Sequence, residues 1–102
     1  MVDARARKTP KLEMSGIEFI PPHTVRTENG EQRVGAVVYR LLQTLFEASR
    51  HELPVAEVEG RVWGRPVNRN TLHSTCRRAR KVLIELNHPL RATTDGDLVV
   101  LV

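Results

Sequence analysis

The stretch NTLHSTCRRARKVL, residues 70–83, combines a run of cationic side chains with regularly spaced apolar ones. The apolar residues of this stretch and its continuation are Leu72, Cys76, Ala79, Leu83 and Leu86. On a helix, with about 100° between successive residues, they form one narrow stripe. The residues opposite the stripe are Asn70, Ser74, Arg77 and Lys81, with Arg78 and Arg80 on either side of them. The sequence therefore predicts a two-sided helix over about residues 70–87, with Asn68 or Asn70 as its N-cap.

Charge is segregated along the chain. Residues 69–81 carry +5 without an acidic residue and residues 1–11 carry +3, so the remaining residues sum to −4 within a net charge of +4. A cationic helix face is often only a solvated surface, and that interpretation stays open at this point. Segregated positive charge nevertheless favours a polyanion such as nucleic acid as the partner.

The composition fits one soluble domain. The 102 residues allow a single modest core, and the longest apolar run, LVVLV at residues 98–102, is too short to span a membrane. The N-terminal sequence lacks the apolar stretch of a secretory signal, so a cytoplasmic location is expected. The single cysteine, Cys76, excludes an intrachain disulfide, and with His73 it offers two of the four ligands of a structural zinc site. No metal or cofactor is therefore predicted.

The sequence contains no recognisable catalytic motif. It has no phosphate-binding glycine loop, no nucleophile elbow and no pair of carboxylates placed near a nucleophile. We therefore expect a protein that is not an enzyme.

Extended segments are predicted at both ends of the chain. Residues 12–20 and 23–34 look extended, and Asn29-Gly30 predicts a two-residue hairpin turn because both positions tolerate positive φ. Residues 90–102 predict a second hairpin, which turns around Asp95-Gly96.

Two further helices are predicted between these segments. Apolar residues at helical spacing favour a first helix from Val38 to about Arg50. A second helix is expected to start at Pro54, which suits a first helical position, and to stop at Gly64.

Together these elements predict an α+β fold, a winged helix-turn-helix with short N-terminal antiparallel strands, three helices and a C-terminal β-hairpin as the wing. The domain is expected to cover residues 12–102. Residues 1–11 are expected to form a basic, disordered tail, with an arm that enters the minor groove as the alternative.

Two stretches carry a resemblance to a known family. Residues 39–64, YRLLQTLFEASRHELPVAEVEGRVWG, contain an aromatic-x-Leu-Leu helix, a short turn and a second helix that closes in Val-Trp-Gly. Residues 72–83, LHSTCRRARKVL, contain spaced apolar residues around an Arg-Arg-x-Arg-Lys core. Over about residues 34–101 the chain resembles the DNA-binding domain of OmpR/PhoB-type response regulators.

This resemblance implies a bacterial, cytoplasmic transcription regulator. In the family, the third helix enters the major groove of double-stranded DNA, and the wing touches the adjacent minor groove or the backbone. Protomers often bind direct repeats in tandem, which implies a homodimer on such DNA.

The resemblance also assigns contact residues by position. The side chains expected to face the groove are Asn70, Ser74, Arg77, Arg78 and Lys81. Those expected to contact phosphates are Thr71, His73 and Arg80, and those expected on the wing are Arg91, Thr93 and Thr94. Arginine suits the first set because it can donate two hydrogen bonds to guanine. Phosphate contacts would supply much of the affinity.

Two departures from the family leave a second function open. The loop between Gly64 and Leu72 is shorter than is common, which weakens the expectation of a contact with RNA polymerase there. The wing tip, TTDGD at residues 93–97, carries two acids that phosphates should repel. The alternative to sequence-specific DNA binding is therefore a winged helix that serves as a protein–protein interaction module without direct DNA binding.

Overall fold

Residues 16–102 are described by a computed structural model, and the predicted basic tail, residues 1–11, lies outside the described residues. The elements in chain order are β1 (Glu18–Ile20), β2 (Thr24–Thr27), β3 (Gly30–Arg33), α1 (Ala36–Glu47), β4 (Glu52–Pro54), α2 (Val55–Val62), α3 (Arg69–Glu85), β5 (Ala92–Asp95) and β6 (Leu98–Leu101). These helices and two antiparallel sheets form the predicted α+β winged helix.

The first helix, α1, lies two to three residues earlier than its apolar spacing predicts, since it begins at Ala36 rather than Val38. Its apolar face is buried as expected, but it ends at Glu47 and a 3-10 turn, Ser49–His51, follows. Within this turn Arg50 and His51 have φ values of 62° and 56°, outside the right-handed helical region. The predicted end of the helix, at about Arg50, therefore lies too far along the chain, because the backbone reverses there to enter β4.

Substitution of Arg50 by glycine is expected to raise the free energy of unfolding by about 0.5 kcal/mol. A side chain with a Cβ is strained by about 1–2 kcal/mol in the left-handed region, whereas glycine is not, and glycine loses part of this gain through its greater freedom in the unfolded chain. Arg50 is exposed, so little packing is lost. Urea unfolding would measure the change, with Arg50→Ala as the control that removes the charge and keeps the Cβ. An equal gain in both variants would contradict the strain explanation.

The N-terminal sheet has the order β1-β2-β3, with antiparallel neighbours. The turn between β2 and β3 consists of Glu28 and Asn29, because Thr27 pairs with Gly30 across it. The predicted turn, Asn29-Gly30, is therefore displaced by one residue. Two local features explain the displacement. The Asn29 N–H donates to Thr27 Oγ1 at 3.1 Å, and Gly30 begins β3 at a φ of 141°, which side chains rarely tolerate.

The segment before α2 forms a strand that was not predicted from the sequence. Glu52–Pro54, β4, pairs antiparallel with β6, and Pro54 is the N-cap of α2 rather than its first residue. The Val55 N–H at the start of α2 donates to the Asp97 carbonyl at 2.8 Å. A three-residue strand that contains proline has no alternating pattern, so its existence depends on the partner strand.

The C-terminal sheet has three strands in the order β4-β6-β5, rather than the two of the predicted hairpin. The hairpin itself, β5–β6, is the wing. Asp95 pairs with Leu98, so the turn residues are Gly96 and Asp97, one position later than predicted. Gly96 has a φ of 63°, which agrees with a tight hairpin turn that requires positive φ.

One hydrophobic core joins the three helices to both sheets. Its fully buried large side chains are Ile17, Leu41, Leu42, Leu45, Leu72, Leu83, Val25, Val58, Val62 and Val99. The helix α3 packs on α1 and along β5, which are its main neighbours. Because one face of α3 is held in this core, its other faces have fixed directions relative to the wing and to the N-terminal sheet.

Candidate nucleic-acid interface

The helix α3 begins where a side chain can cap it. Asn68 has an extended backbone conformation, and its Oδ1 accepts a hydrogen bond from the Thr71 N–H at 2.8 Å. This contact pairs one of the amides that a helix leaves without a partner at its start. Of the two predicted caps, Asn68 is therefore the one used, and Asn70 lies exposed inside the first turn.

The helix ends at Glu85, two residues before the predicted limit. Asn87 adopts a φ of 58°, and its N–H donates to the Ile84 carbonyl at 2.9 Å. The next N–H, of His88, donates to the Leu83 carbonyl at 2.8 Å. This pair of bonds is a Schellman motif, in which a left-handed residue ends the helix, and asparagine tolerates that conformation better than most residues.

The predicted apolar stripe of α3 is buried in full. Leu72, Cys76, Ala79, Leu83 and Leu86 are each at most 5% exposed. The buried face is wider than predicted, because Thr75 and Val82 also belong to it. Thr75 can be buried since its hydroxyl donates to the Thr71 carbonyl at 2.8 Å.

The remaining faces of α3 carry the predicted contact residues. Asn70, His73, Ser74, Arg77, Arg78, Arg80 and Lys81 are exposed, and Thr71 is half-buried. None of the four cations on this helix surface, from Arg77 to Lys81, forms an ion pair with a residue in the range 16–102. The ion pairs of this range are Arg26–Glu18, Arg61–Glu57 and Arg69–Asp97. The surface therefore presents positive charge that the described part of the protein leaves uncompensated.

A groove of about 200 Å³ separates α3 from the wing. Its lining residues are His73, Cys76, Arg77, Arg80, Thr93 and Thr94. The structure thus brings five of the predicted contact residues together, three from the helix and two from β5. Cations and hydroxyl groups side by side form a surface that can bind phosphate oxygens.

A second groove, of about 330 Å³, lies along the N-terminal half of α3. Its lining residues are Asn68, Asn70, Thr71, Ser74, Thr75 and Arg78. Four predicted contact residues meet here, and three of them, Asn70, Ser74 and Arg78, were expected to face bases. Amide, hydroxyl and guanidinium groups are the donors and acceptors that read base edges.

Arg91 lies apart from the other predicted residues. It precedes β5 at the base of the wing, where its backbone N–H and carbonyl both pair with Val102. Its guanidinium donates to the His88 carbonyl and, at 2.9 Å, to the Leu90 carbonyl. These bonds hold the side chain against the end of α3, and Arg91 does not line either groove.

Arg69 contacts the acidic wing tip. Its Nη2 lies 3.9 Å from Asp97 Oδ1, and its Nη1 donates to the Gly96 carbonyl at 3.3 Å. This contact could not be predicted from the sequence, because Arg69 and Gly96 are 27 positions apart in the chain. The first turn of α3 is therefore linked to the turn of the wing through exposed groups.

Cys76 lies at the base of the groove beside the wing but is only 2% exposed. Burial raises the pKa of its thiol to about 11, and the positive charge of Arg80 opposes this shift to a smaller degree. Within residues 16–102, no group of three or more His, Cys, Asp or Glu side chains could hold a metal ion. Cys76 therefore belongs to the core, as its position on the apolar stripe predicts.

Comparison with known proteins confirms the fold. No family model matches the sequence, and no curated protein matches it. Among solved structures, the chain is similar to the C-terminal domain of the nisin resistance regulator NsrR, a lantibiotic response regulator. The TM-score is 0.69 at 16% identity, over 84% of this chain and 90% of that one. The fold that the resemblance of residues 34–101 implies is therefore confirmed.

Among residues 16–102, none of the helices combines the length and the apolar character that a bilayer crossing requires.

Proposed function

We propose that this protein is a transcription regulator that binds double-stranded DNA in a sequence-specific manner and inserts α3 into the major groove. The observation that carries the proposal is the exposed face of α3, where four cations lack an ion-pair partner among residues 16–102 while the opposite face is anchored in the core. The major groove is wide enough for one helix, and phosphates would neutralise this charge. The similar fold of a response regulator domain supports the same role.

We assign roles by position on the helix, because the two grooves separate these roles only in part. Arg77 lines the groove beside the wing, Thr71 lines the other groove, and Lys81 lines neither. The residues proposed to meet base edges are Asn70, Ser74, Arg77, Arg78 and Lys81. Those proposed to meet phosphates are Thr71, His73, Arg80, Thr93 and Thr94. Arg91 would have to break its hydrogen bonds to the carbonyls of His88 and Leu90 before it reached a phosphate. We therefore expect it to contribute least to DNA binding. Two copies would occupy direct repeats.

The wing tip favours a second candidate, a protein–protein interaction module. Asp95 and Asp97 are exposed at the end of the hairpin, and the side chain of Asp97 is 99% exposed despite its contact with Arg69. Phosphates would repel this tip, whereas a basic protein surface would attract it. RNA polymerase or another protein is the partner in that case, and neither candidate involves catalysis.

A salt series of duplex binding separates the two candidates. If roughly four phosphates are neutralised, the logarithm of the association constant should fall with the logarithm of salt concentration at a slope of about −3.6. Fluorescence anisotropy with a labelled duplex would measure it, and selection from a random duplex pool would give the preferred sequence. Absence of salt-sensitive affinity at low ionic strength would reject DNA binding and favour the interaction module.

A further inference from the structure

A third groove lies on the side of α3 that faces away from the wing. It has a volume of about 330 Å³ and runs between β3, the start of α1 and the C-terminal half of α3. Its charged and polar lining residues are Gln32, Arg33, Arg78, Lys81 and Glu85. Arg78 and Lys81 belong to the proposed DNA-binding surface, but Arg33 comes from the N-terminal sheet. The groove therefore brings a cation of a different element beside the proposed recognition helix.

Two hydrogen bonds fix the N-terminal sheet against α3. Gln32 Nε2 donates to Glu85 Oε1 at 2.9 Å. The buried Thr27 Oγ1 donates to the Leu86 carbonyl at 3.1 Å. The first bond joins β3 to the last turn of the helix, and the second joins β2 to the residue that follows. Arg33 therefore lies on a strand whose position relative to α3 is set by the fold.

The charge in this groove is positive and uncompensated. Arg33, Arg78 and Lys81 are exposed, and none forms an ion pair with another residue between 16 and 102. The carboxylate of Glu85 also lines the groove, where it accepts the bond from Gln32. Three cations against one carboxylate leave an excess of positive charge at a surface open to solvent.

The position of the groove matches the geometry of a helix in the major groove. On α3, Arg80 faces the wing and Arg78 faces the N-terminal sheet, and these two positions are about 160° apart around the helix axis. A major groove is about 12 Å wide and is bounded by one sugar-phosphate backbone on each side. A helix inserted between the two backbones would thus have the wing beside one strand and Arg33 beside the other.

We infer that Arg33 binds a backbone phosphate of the DNA strand on the side away from the wing, so the DNA-binding surface extends to the end of β3. This inference rests on the proposed function, because it requires α3 in the major groove. Arg33 donates to this phosphate, and the positive charge of Arg78 and Lys81, which are proposed to meet base edges, adds to the attraction. Such a contact positions the protein on the duplex without reading sequence.

The substitution Arg33→Gln tests the contact through the salt dependence of duplex binding. Loss of one phosphate contact should make the slope of the logarithm of affinity against the logarithm of salt shallower by about 0.9. Affinity should fall by a similar factor for every sequence bound. The matched control is Arg50→Gln, at the opposite end of α1, which removes the same charge and should leave the slope unchanged.

A pair of substitutions at Gly35 provides a second test. Gly35 lines the groove as the N-cap of α1. Among the described residues, no side chain caps that helix, and no atom would lie within 4 Å of an added Cβ. Both Gly35→Asp and Gly35→Asn place a capping side chain there and should raise the Tm. Only the aspartate adds a negative charge beside the phosphate, so only Gly35→Asp should weaken DNA binding.

Phosphate ethylation interference on a selected duplex would locate the contact. The wild-type protein should show interference at a phosphate on the strand away from the wing, and Arg33→Gln should lose that signal alone. If the wild type binds duplex DNA but Arg33→Gln behaves like Arg50→Gln, the inference is overturned and the proposed function stands. A change confined to cooperativity between two sites would overturn it too, in favour of a contact between copies. Failure of the wild type to bind any duplex would instead reject the proposed function.

Discussion

Replacement of Leu83 by alanine is expected to lower the free energy of unfolding by about 2–5 kcal/mol. Leu83 is fully buried on α3, in the core that this helix shares with α1 and the wing. Its truncation removes apolar contacts and leaves a cavity that rigid neighbours can fill only in part. Domains of this kind are stable by about 5–15 kcal/mol, so one substitution would remove a large fraction of the total. Urea unfolding followed by far-UV circular dichroism would measure the loss.

The adjacent residue provides the matched control. Ile84 is 52% exposed, one position further along the same helix. The substitution Ile84→Ala removes the same number of carbon atoms from a solvated side chain, and the expected change is within about 0.5 kcal/mol. A similar loss of unfolding free energy in the two variants would show that α3 does not pack on the core through the face that carries Leu83.

The double substitution Arg77→Ala and Lys81→Ala is expected to weaken duplex binding at least about 30-fold at low ionic strength. Both side chains are exposed on the side of α3 opposite the core, and neither forms an ion pair within the described residues. Each contact of this kind contributes about 1–3 kcal/mol to binding, and 2 kcal/mol corresponds to about 30-fold in the dissociation constant. Fluorescence anisotropy titrations of a selected duplex would measure the change.

The control for this experiment removes the same charge elsewhere. Arg26, on β2, pairs with Glu18, and Arg50 lies in the turn after α1, so neither belongs to the proposed DNA-binding surface. The variant with Arg26→Ala and Arg50→Ala should therefore bind nearly as tightly as the wild type, apart from a small effect of net charge. Equal weakening of both double variants would mean that only total charge matters, and the proposed role of α3 would be wrong.

The helices could be predicted from the sequence because their signals are local. The apolar stripe of α3 repeats at helical spacing, and all of its predicted members are buried. The burial of Thr75 and Val82 was not predicted, for two different reasons. Thr75 is polar, and its burial depends on the hydrogen bond to the Thr71 carbonyl. Val82 lies at the edge of the stripe, where burial depends on what packs beside the helix.

Features that depend on distant residues could not be predicted. The strand β4 exists through its pairing with β6, which lies more than forty residues later in the chain. The contact between Arg69 and Gly96 and the groove beside Arg33 likewise join elements that are far apart in sequence. Composition showed that the cations were segregated, but only the fold shows which of them share a surface. The contact residues assigned by resemblance remain predictions that the proposed experiments address.

The buried thiol of Cys76 makes the protein suitable for site-selective fluorescent labelling. Maleimides react with thiolates, and a thiol with a pKa of about 11 is almost wholly protonated at neutral pH and is also inaccessible here. Because Cys76 is the sole cysteine of the chain, a second one introduced on the exposed surface would react selectively without removal of the first. A dye on Asp95→Cys at the wing tip and another on a DNA end would then report their separation by energy transfer.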